Sequence, residues 1–314
     1  MVSSKSSNAA KLLAAAVLVG ESAAALNKPL INPPIPSMDN GLFQYLKPTH
    51  STHDAWEWGW IPDICRDRAN AEKLNPYDVE VFNVHYDDCS QPWIMCRHHN
   101  APMSQSQMID LFGRMPVHMR QWVRTITAFP GPRSAYTLSG SGDSVFFGDS
   151  QNYPTLFAHE IGHTLDHNSV PGYSGTDFSA SQIWLDNYNA DSAISDSYAA
   201  TNQAENFAQE TVIALFDKNV PGGVGTIEPN WKQIFHQYAT LQAYVGNPLI
   251  PGGTCDHRWT NPATVCMGSA APCGQAKTRR SAESNKPDVS ITGIPTIQAN
   301  YDGKISCNIT HVDA

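Results

Sequence analysis

The chain has 314 residues, with 20 basic and 29 acidic side chains and a formal net charge of −9 at pH 7. That balance, with no basic run, argues against a nucleic-acid or anionic-membrane partner, because nothing supplies the positive patch such ligands require. The chain is long enough to bury a sizeable core, so small disulfide-only scaffolds are also excluded.

Residues 1–25 read as a secretory signal peptide. Lys5 and Lys11 supply positive charge, Leu12 to Val19 form a short apolar run, and Ser22-Ala23-Ala24-Ala25 offers small residues for cleavage. No later stretch looks transmembrane, so the expectation is a secreted, extracellular protein with no membrane association after signal removal. Export would place Cys65, Cys89, Cys96, Cys255, Cys266, Cys273 and Cys307 in an oxidising compartment, where six can pair and one is left over. Cys89 and Cys96 are close enough to staple a loop between two strands, although spacing alone leaves the connectivity open.

Residues 26–55 are read as an extended lead-in segment or a propeptide, because Pro29 to Pro36 cannot continue a helix or a central strand. Residues 56–246 form the expected catalytic domain. Within it, Val79 to Tyr86 is rich in β-branched and aromatic residues and predicts a strand, with Trp93 to Arg97 as its partner. Residues 105–128 carry helical spacing, with Val117, Met119, Trp122, Val123 and Ile126 as an apolar stripe. Ala135 to Leu138 and Ser144 to Phe147 predict two strands joined by a tight turn. Ser144 to Gly148 reads either as an edge strand that offers a ledge to an extended peptide or as a strand that only completes the sheet.

A helix begins near Pro154, a residue suited to a first turn, and is followed by a loop over 168–176 and a short helix over Ser181 to Tyr188. Further helices are expected over Asn202 to Lys218 and Pro229 to Val245, the second stopped by Gly246. Residues 247–314 read as a cysteine-containing appendage, and Asn308-Ile309-Thr310 is a glycosylation sequon.

Chemistry concentrates in the first of these helices, where His159-Glu160-Ile161-Gly162-His163 spells H-E-x-x-H. Residues four apart share a helix face, so His159 and His163 can aim two imidazoles at one zinc ion while Glu160 stands beside it as a general base. A catalytic zinc takes three protein ligands, so one more is required. Ser169 occupies the position where a metzincin needs its third histidine, which excludes that class. His167, Asp177 and Glu205 remain. His167 is rotated about 80° from His159 on the helix. Asp177, in Gly175-Thr176-Asp177, matches only part of the pattern of aspartate-ligated zinc peptidases. Glu205 lies in the first turn of a later helix, but its spacing from Asn202 equally suits a capping-box partner. Spacing alone does not choose between ligand and cap.

Two segments carry a resemblance. HEIGHTLD at 159–166 and SYAATNQAENFAQE at 197–210 are similar to the corresponding stretches of the anthrax lethal factor catalytic domain and related gluzincins, over about residues 135–216. The resemblance implies an α+β, zincin-like metallopeptidase with a small mixed sheet, a motif helix and a lower helical subdomain. It implies Zn2+ held by His159, His163 and Glu205, Glu160 as general base, and Tyr198 as the group that stabilises the oxyanion. The chain departs from that family at Ala199 and Ala200, and at Gln209, where an acidic residue usually supports the site. The remainder, including the cysteine-bearing ends, resembles secreted fungal proteins of the conidiation-specific type. The expected function is therefore a secreted zinc-dependent endopeptidase acting on peptide or protein substrates. A non-catalytic binding or cell-surface protein on the same scaffold is the alternative.

Overall fold

The computed structural model describes residues 25–268 and Cys273. Most of the predicted signal peptide, Cys307 and the sequon at Asn308 lie outside the described residues. In chain order the elements are α1 (Asp39–Tyr45), β1 (Ser51–Ala55), β2 (Trp60–Pro62), α2 (Asp63–Ala71), β3 (Val79–Tyr86), β4 (Trp93–His98), α3 (Gln105–Arg114), the single turn α4 (Val117–Arg120), β5 (Thr125–Phe129), β6 (Ser134–Leu138), β7 (Asp143–Phe147), α5 (Pro154–Asn168), α6 (Gln182–Ala190), α7 (Gln203–Asn219), α8 (Phe235–Tyr244) and β8 (Thr264–Cys266). The architecture is mixed α+β.

A six-stranded sheet runs β1-β3-β4-β5-β7-β6, with β4, β5 and β7 mutually parallel and the outer pairings antiparallel. Strand alternation divides its side chains between two cores. Phe82, Met95, Ile126 and Phe146 face the cluster that holds α5 and α7, whereas Val81, Ile94, Cys96, Val145 and Phe147 face a smaller cluster under α2 and β2. Each large apolar side chain buried this way contributes roughly 1.5–3 kcal/mol.

Besides a late start of the last helix, where Trp231–Gln233 form a separate 3-10 turn and α8 begins only at Phe235 rather than at Pro229, three expectations change. The helix predicted over 105–128 ends at Arg114, and Met115 is extended at φ −67°, ψ 137°. Met115 precedes Pro116, whose ring disfavours helical geometry one residue upstream. The β-branched run Thr125-Ile126-Thr127 then forms β5 in the middle of the sheet, where all five residues of the strand are buried. Second, β7 is not an edge strand: it lies between β5 and β6, and β6 takes the edge. Third, Cys89 and Cys96 do not pair with each other. Cys65–Cys96 pins α2 to β4, Cys89–Cys255 draws the segment after α8 back to the sheet, and Cys266 pairs with Cys273.

The chain flanking the expected 56–246 unit shares its core. The proline-rich stretch bends at Asn32-Pro33, joined by a cis peptide bond, and it buries Ile31 and Ile35 while α1 buries Leu42. Backbone bonds run from Ile31 N–H to the Ile194 carbonyl and from Ile194 N–H to the Pro29 carbonyl. β1 pairs with β3 over its whole length. Beyond α8, β8 pairs with β2, and the Trp259 indole donates to the Trp122 carbonyl at 2.6 Å. Among the described residues no helix is long and apolar enough to cross a membrane.

Candidate metal centre

α5 has proline at its first position, and Tyr153 at its N-cap makes no side-chain cap. The carboxylate of Asp39, on α1, does that work from a distance: its Oδ1 accepts from Thr155 N–H at 3.2 Å and from Thr155 Oγ1 at 2.6 Å. An anion there also suits the positive end of the helix. α5 is buried along nearly its whole length and packs on α7. Gly162, inside the motif, makes the approach close. A Cβ at that position would sit 3.0 Å from Ala208 Cα and 3.0 Å from Thr211 Oγ1.

That approach brings Glu205 to the histidines. Its Oε2 lies 3.3 Å from His159 Nε2 and 3.4 Å from His163 Nε2, and the two Nε2 atoms are 3.3 Å apart. Three donor atoms thus form a nearly equilateral triangle. Ligands at 2.0–2.1 Å from a tetrahedral zinc are separated by about 3.3–3.4 Å, so nitrogen, nitrogen and oxygen fit that ion in type and in spacing. The Glu205 carboxylate does not reach back as a capping-box partner. Asn202 Oδ1 accepts from Glu205 N–H at 2.9 Å and caps α7, while the Glu205 carboxylate turns to the imidazoles.

His167 and Asp177 lie outside this triangle and pair with each other, Nδ1 to Oδ1, at 2.7 Å. Asp166 accepts from Ser179 N–H at 2.7 Å and Ser179 Oγ at 2.6 Å, which anchors the turn after the loop. Glu160 is completely buried. Thr137 Oγ1, on β6, donates to its Oε2 at 2.8 Å, and Oε1 receives no hydrogen bond from the described residues. Tyr198 is nearly buried, and its ring centroid is 5.5 Å from that of His159.

A supporting layer surrounds the triangle: the resemblance marks Gln209 as a supporting position, whereas Asp196 and Thr137 had no part in the sequence reading. Gln209 Oε1 is 2.9 Å from His159 Nδ1, and Gln209 Nε2 donates to Asp196 Oδ2 at 2.6 Å. Asp196 Oδ1 also accepts from Tyr198 N–H and Ala199 N–H, each at 2.8 Å. One aspartate therefore orders both the Gln209 amide and the turn that carries Tyr198. Gln209 lies one helical turn beyond Glu205, and that spacing was the available signal. Thr137 gave none, because its contact depends on how β6 meets α5.

The charges are strongly coupled. Burial raises the Glu160 carboxyl above its usual range, a shift the neighbouring imidazoles and the Thr137 bond oppose. Burial works against a charge on His163, but the Glu205 carboxylate outweighs it and pushes the imidazole up to about 9. Burial would likewise raise Glu205, yet His163 and His159 together hold it well below the carboxylate range. The same arrangement that favours a proton on imidazole favours a cation in its place. A cavity beside His159 is walled by Ile35, Met38, Leu156, Asp196, Gln209 and Val212.

Comparison with known proteins defines the family. The chain belongs to the conidiation-specific protein Con-13 family, whose model matches residues 35–306. It is 36% identical over 256 residues to conidiation-specific protein 13 of Neurospora crassa, covering 78% of this chain and 73% of that one. No solved structure matches the chain.

Proposed function

We propose that this chain is a secreted zinc-dependent endopeptidase of gluzincin type on a zincin-like fold, with His159, His163 and Glu205 holding the metal. The observation that carries the reading is the triangle of Nε2, Nε2 and Oε2 atoms with edges of 3.3, 3.3 and 3.4 Å. When bound, zinc supplies a Lewis acid for the scissile carbonyl and lowers the pKa of the attacking water.

The remaining work falls to the chain itself. Glu160 Oε1, the carboxylate oxygen that Thr137 leaves unused, takes the proton of the attacking water and delivers it to the leaving amine. Tyr198 donates to the oxygen that becomes negative in the transition state, so its contribution grows as the barrier is climbed. An extended substrate adds by main-chain bonds to β6, the edge strand of the sheet and the strand whose Thr137 touches Glu160. The cavity beside His159 can receive an adjacent substrate side chain. Secretion fits the predicted signal peptide and the disulfides between Cys65 and Cys96 and between Cys89 and Cys255.

A second reading, a non-catalytic protein that keeps the metal for structure, is favoured by one observation: His159, Glu160, His163 and Glu205 are each at most 2% exposed. Three protein ligands rather than four weigh against it, because structural zinc sites are closed by four. A peptide-library digest with and without chelator decides between them, using Glu160→Gln as control. Chelator-sensitive cleavage that vanishes in Glu160→Gln supports the peptidase. One equivalent of tightly held zinc with no cleavage of any peptide overturns it in favour of the structural role.

A further inference from the structure

Asp78, His98 and His99 form a second group of ligand-type side chains on the far end of the sheet from the motif. One ligand atom from each lies within 4.8 Å of the others. His98 is the last residue of β4 and His99 the first beyond it. Neighbours on a strand point to opposite faces, but the chain turns here, with Ala101 N–H bonded to the His98 carbonyl at 2.8 Å. Both imidazoles consequently fall on one side, stacked with centroids 4.7 Å apart and planes 27° from parallel, so one ring must turn for both in-plane lone pairs to meet a common ion.

The carboxylate is positioned independently. His99 N–H donates to the Asp78 carbonyl at 2.9 Å, and Asn75 Nδ2 contacts Asp78 Oδ2 at 3.3 Å, leaving Oδ1 turned toward His99. The distance from Asp78 Oδ1 to His99 Nδ1 is 3.7 Å. That is too long for a direct hydrogen bond, and a side-chain rotation that moves the atoms by a few tenths of an ångström closes it to the separation of two ligands on one ion. The closest cation does not compete for Asp78: Arg97 is committed to Glu80, at 3.1 Å, and to the carbonyls of Met103 and Ala101.

We infer that Asp78, His98 and His99 bind a second divalent cation of the kind that takes imidazole nitrogen, such as zinc, copper or nickel, rather than calcium or magnesium. His98 Nδ1 accepts from Asn100 N–H at 3.1 Å. Capture through Nδ1 replaces that contact, whereas capture through Nε2 moves the ring proton to Nδ1 and gives it up. One backbone contact is exchanged in either case. The site does not depend on the peptidase reading, since it shares no residue with the first centre.

Metal stoichiometry tests the proposal. The full chain is stripped with chelator, titrated with ZnCl2 and gel-filtered, and zinc per chain is measured for the native protein, Glu205→Ala, His99→Ala and Asp78→Asn. His99 and Asp78 are partly exposed, so these substitutions spare the core. Two equivalents in the native protein, one in Glu205→Ala and one in each of His99→Ala and Asp78→Asn are expected. A single equivalent in the native protein that is lost in Glu205→Ala and kept in His99→Ala and Asp78→Asn overturns the inference. So does a second equivalent that survives both His99→Ala and Asp78→Asn. Retained near-ultraviolet circular dichroism separates loss of a ligand from loss of the fold.

Discussion

Gln209 Oε1 faces His159 Nδ1 at 2.9 Å, and Asp196 holds the Gln209 amide in that orientation from its other end. An amide so fixed presents only its carbonyl to the ring. The imidazole proton is therefore kept on Nδ1 and the Nε2 lone pair stays in the metal triangle. Gln209→Ala is expected to weaken zinc binding roughly 10–100-fold, the cost usual for a lost partner of a ligating histidine. Gln209→Glu, which still accepts from Nδ1, is expected to recover most of it. Competition with a chromophoric chelator measures both, and equal affinity in all three proteins would reduce Gln209 to packing.

Glu205→Ala is expected to lose the zinc of the first centre, while His167→Ala keeps it. The reason is geometric: Glu205 closes the triangle, and His167 is engaged with Asp177. Elemental analysis after gel filtration gives the answer directly. An unchanged content in Glu205→Ala would transfer the third-ligand role to another residue.

Tyr198→Phe removes one hydroxyl from a ring beside His159. Turnover is expected to fall about 100-fold, with a much smaller change in KM, because an oxyanion donor acts mainly in the transition state. Steady-state kinetics on a peptide found in the library digest measures the split. Equal turnover would leave Tyr198 with a packing role only.

Glu210 is completely buried in α7, and its carboxyl is pushed well above the usual range by burial, then by the carboxylates of Asp191 and Asp196. A carboxyl with a raised folded-state pKa holds its proton after the unfolded chain has released its own. Folding then loses stability as pH rises above the unfolded value and on toward the folded one. Glu210→Gln removes that dependence. Its melting temperature is expected to gain on the native protein as pH goes from 5 to 8, by at least ~2 °C at the upper end. Thermal denaturation of both proteins across that range checks the sign, and a constant gap would refute it.

Local signals were legible in the sequence where they had local causes. Pro154 and the motif marked α5, Asn202 marked the start of α7, and Gly246, at φ +62°, marked the end of α8. The alternating apolar residues of β3 marked that strand. The reading failed where the local signal was divided. Residues 105–128 kept a helical stripe across Pro116, yet the proline broke the helix and β-branched residues made a central strand. Ser144 to Phe147 read as a strand joined by a tight turn to Ala135–Leu138, and the two do pair, but its other neighbour, β5, was set by sheet order, which no local pattern encodes.

The sequence by itself determined the chemistry on offer: two histidines and a glutamate on one helix, and a short list of candidates for the remaining ligand. Helical periodicity fixes which residues share a face, and periodicity is written in the chain. Only the tertiary structure decided how the pieces meet. The packing of α5 on α7 at Gly162 sets Glu205 against both imidazoles, and Asp196 and Thr137 then reach the site from a turn and from the edge strand. Those contacts join residues up to 50 positions apart, and their distances depend on helix packing and sheet order rather than on spacing along the chain.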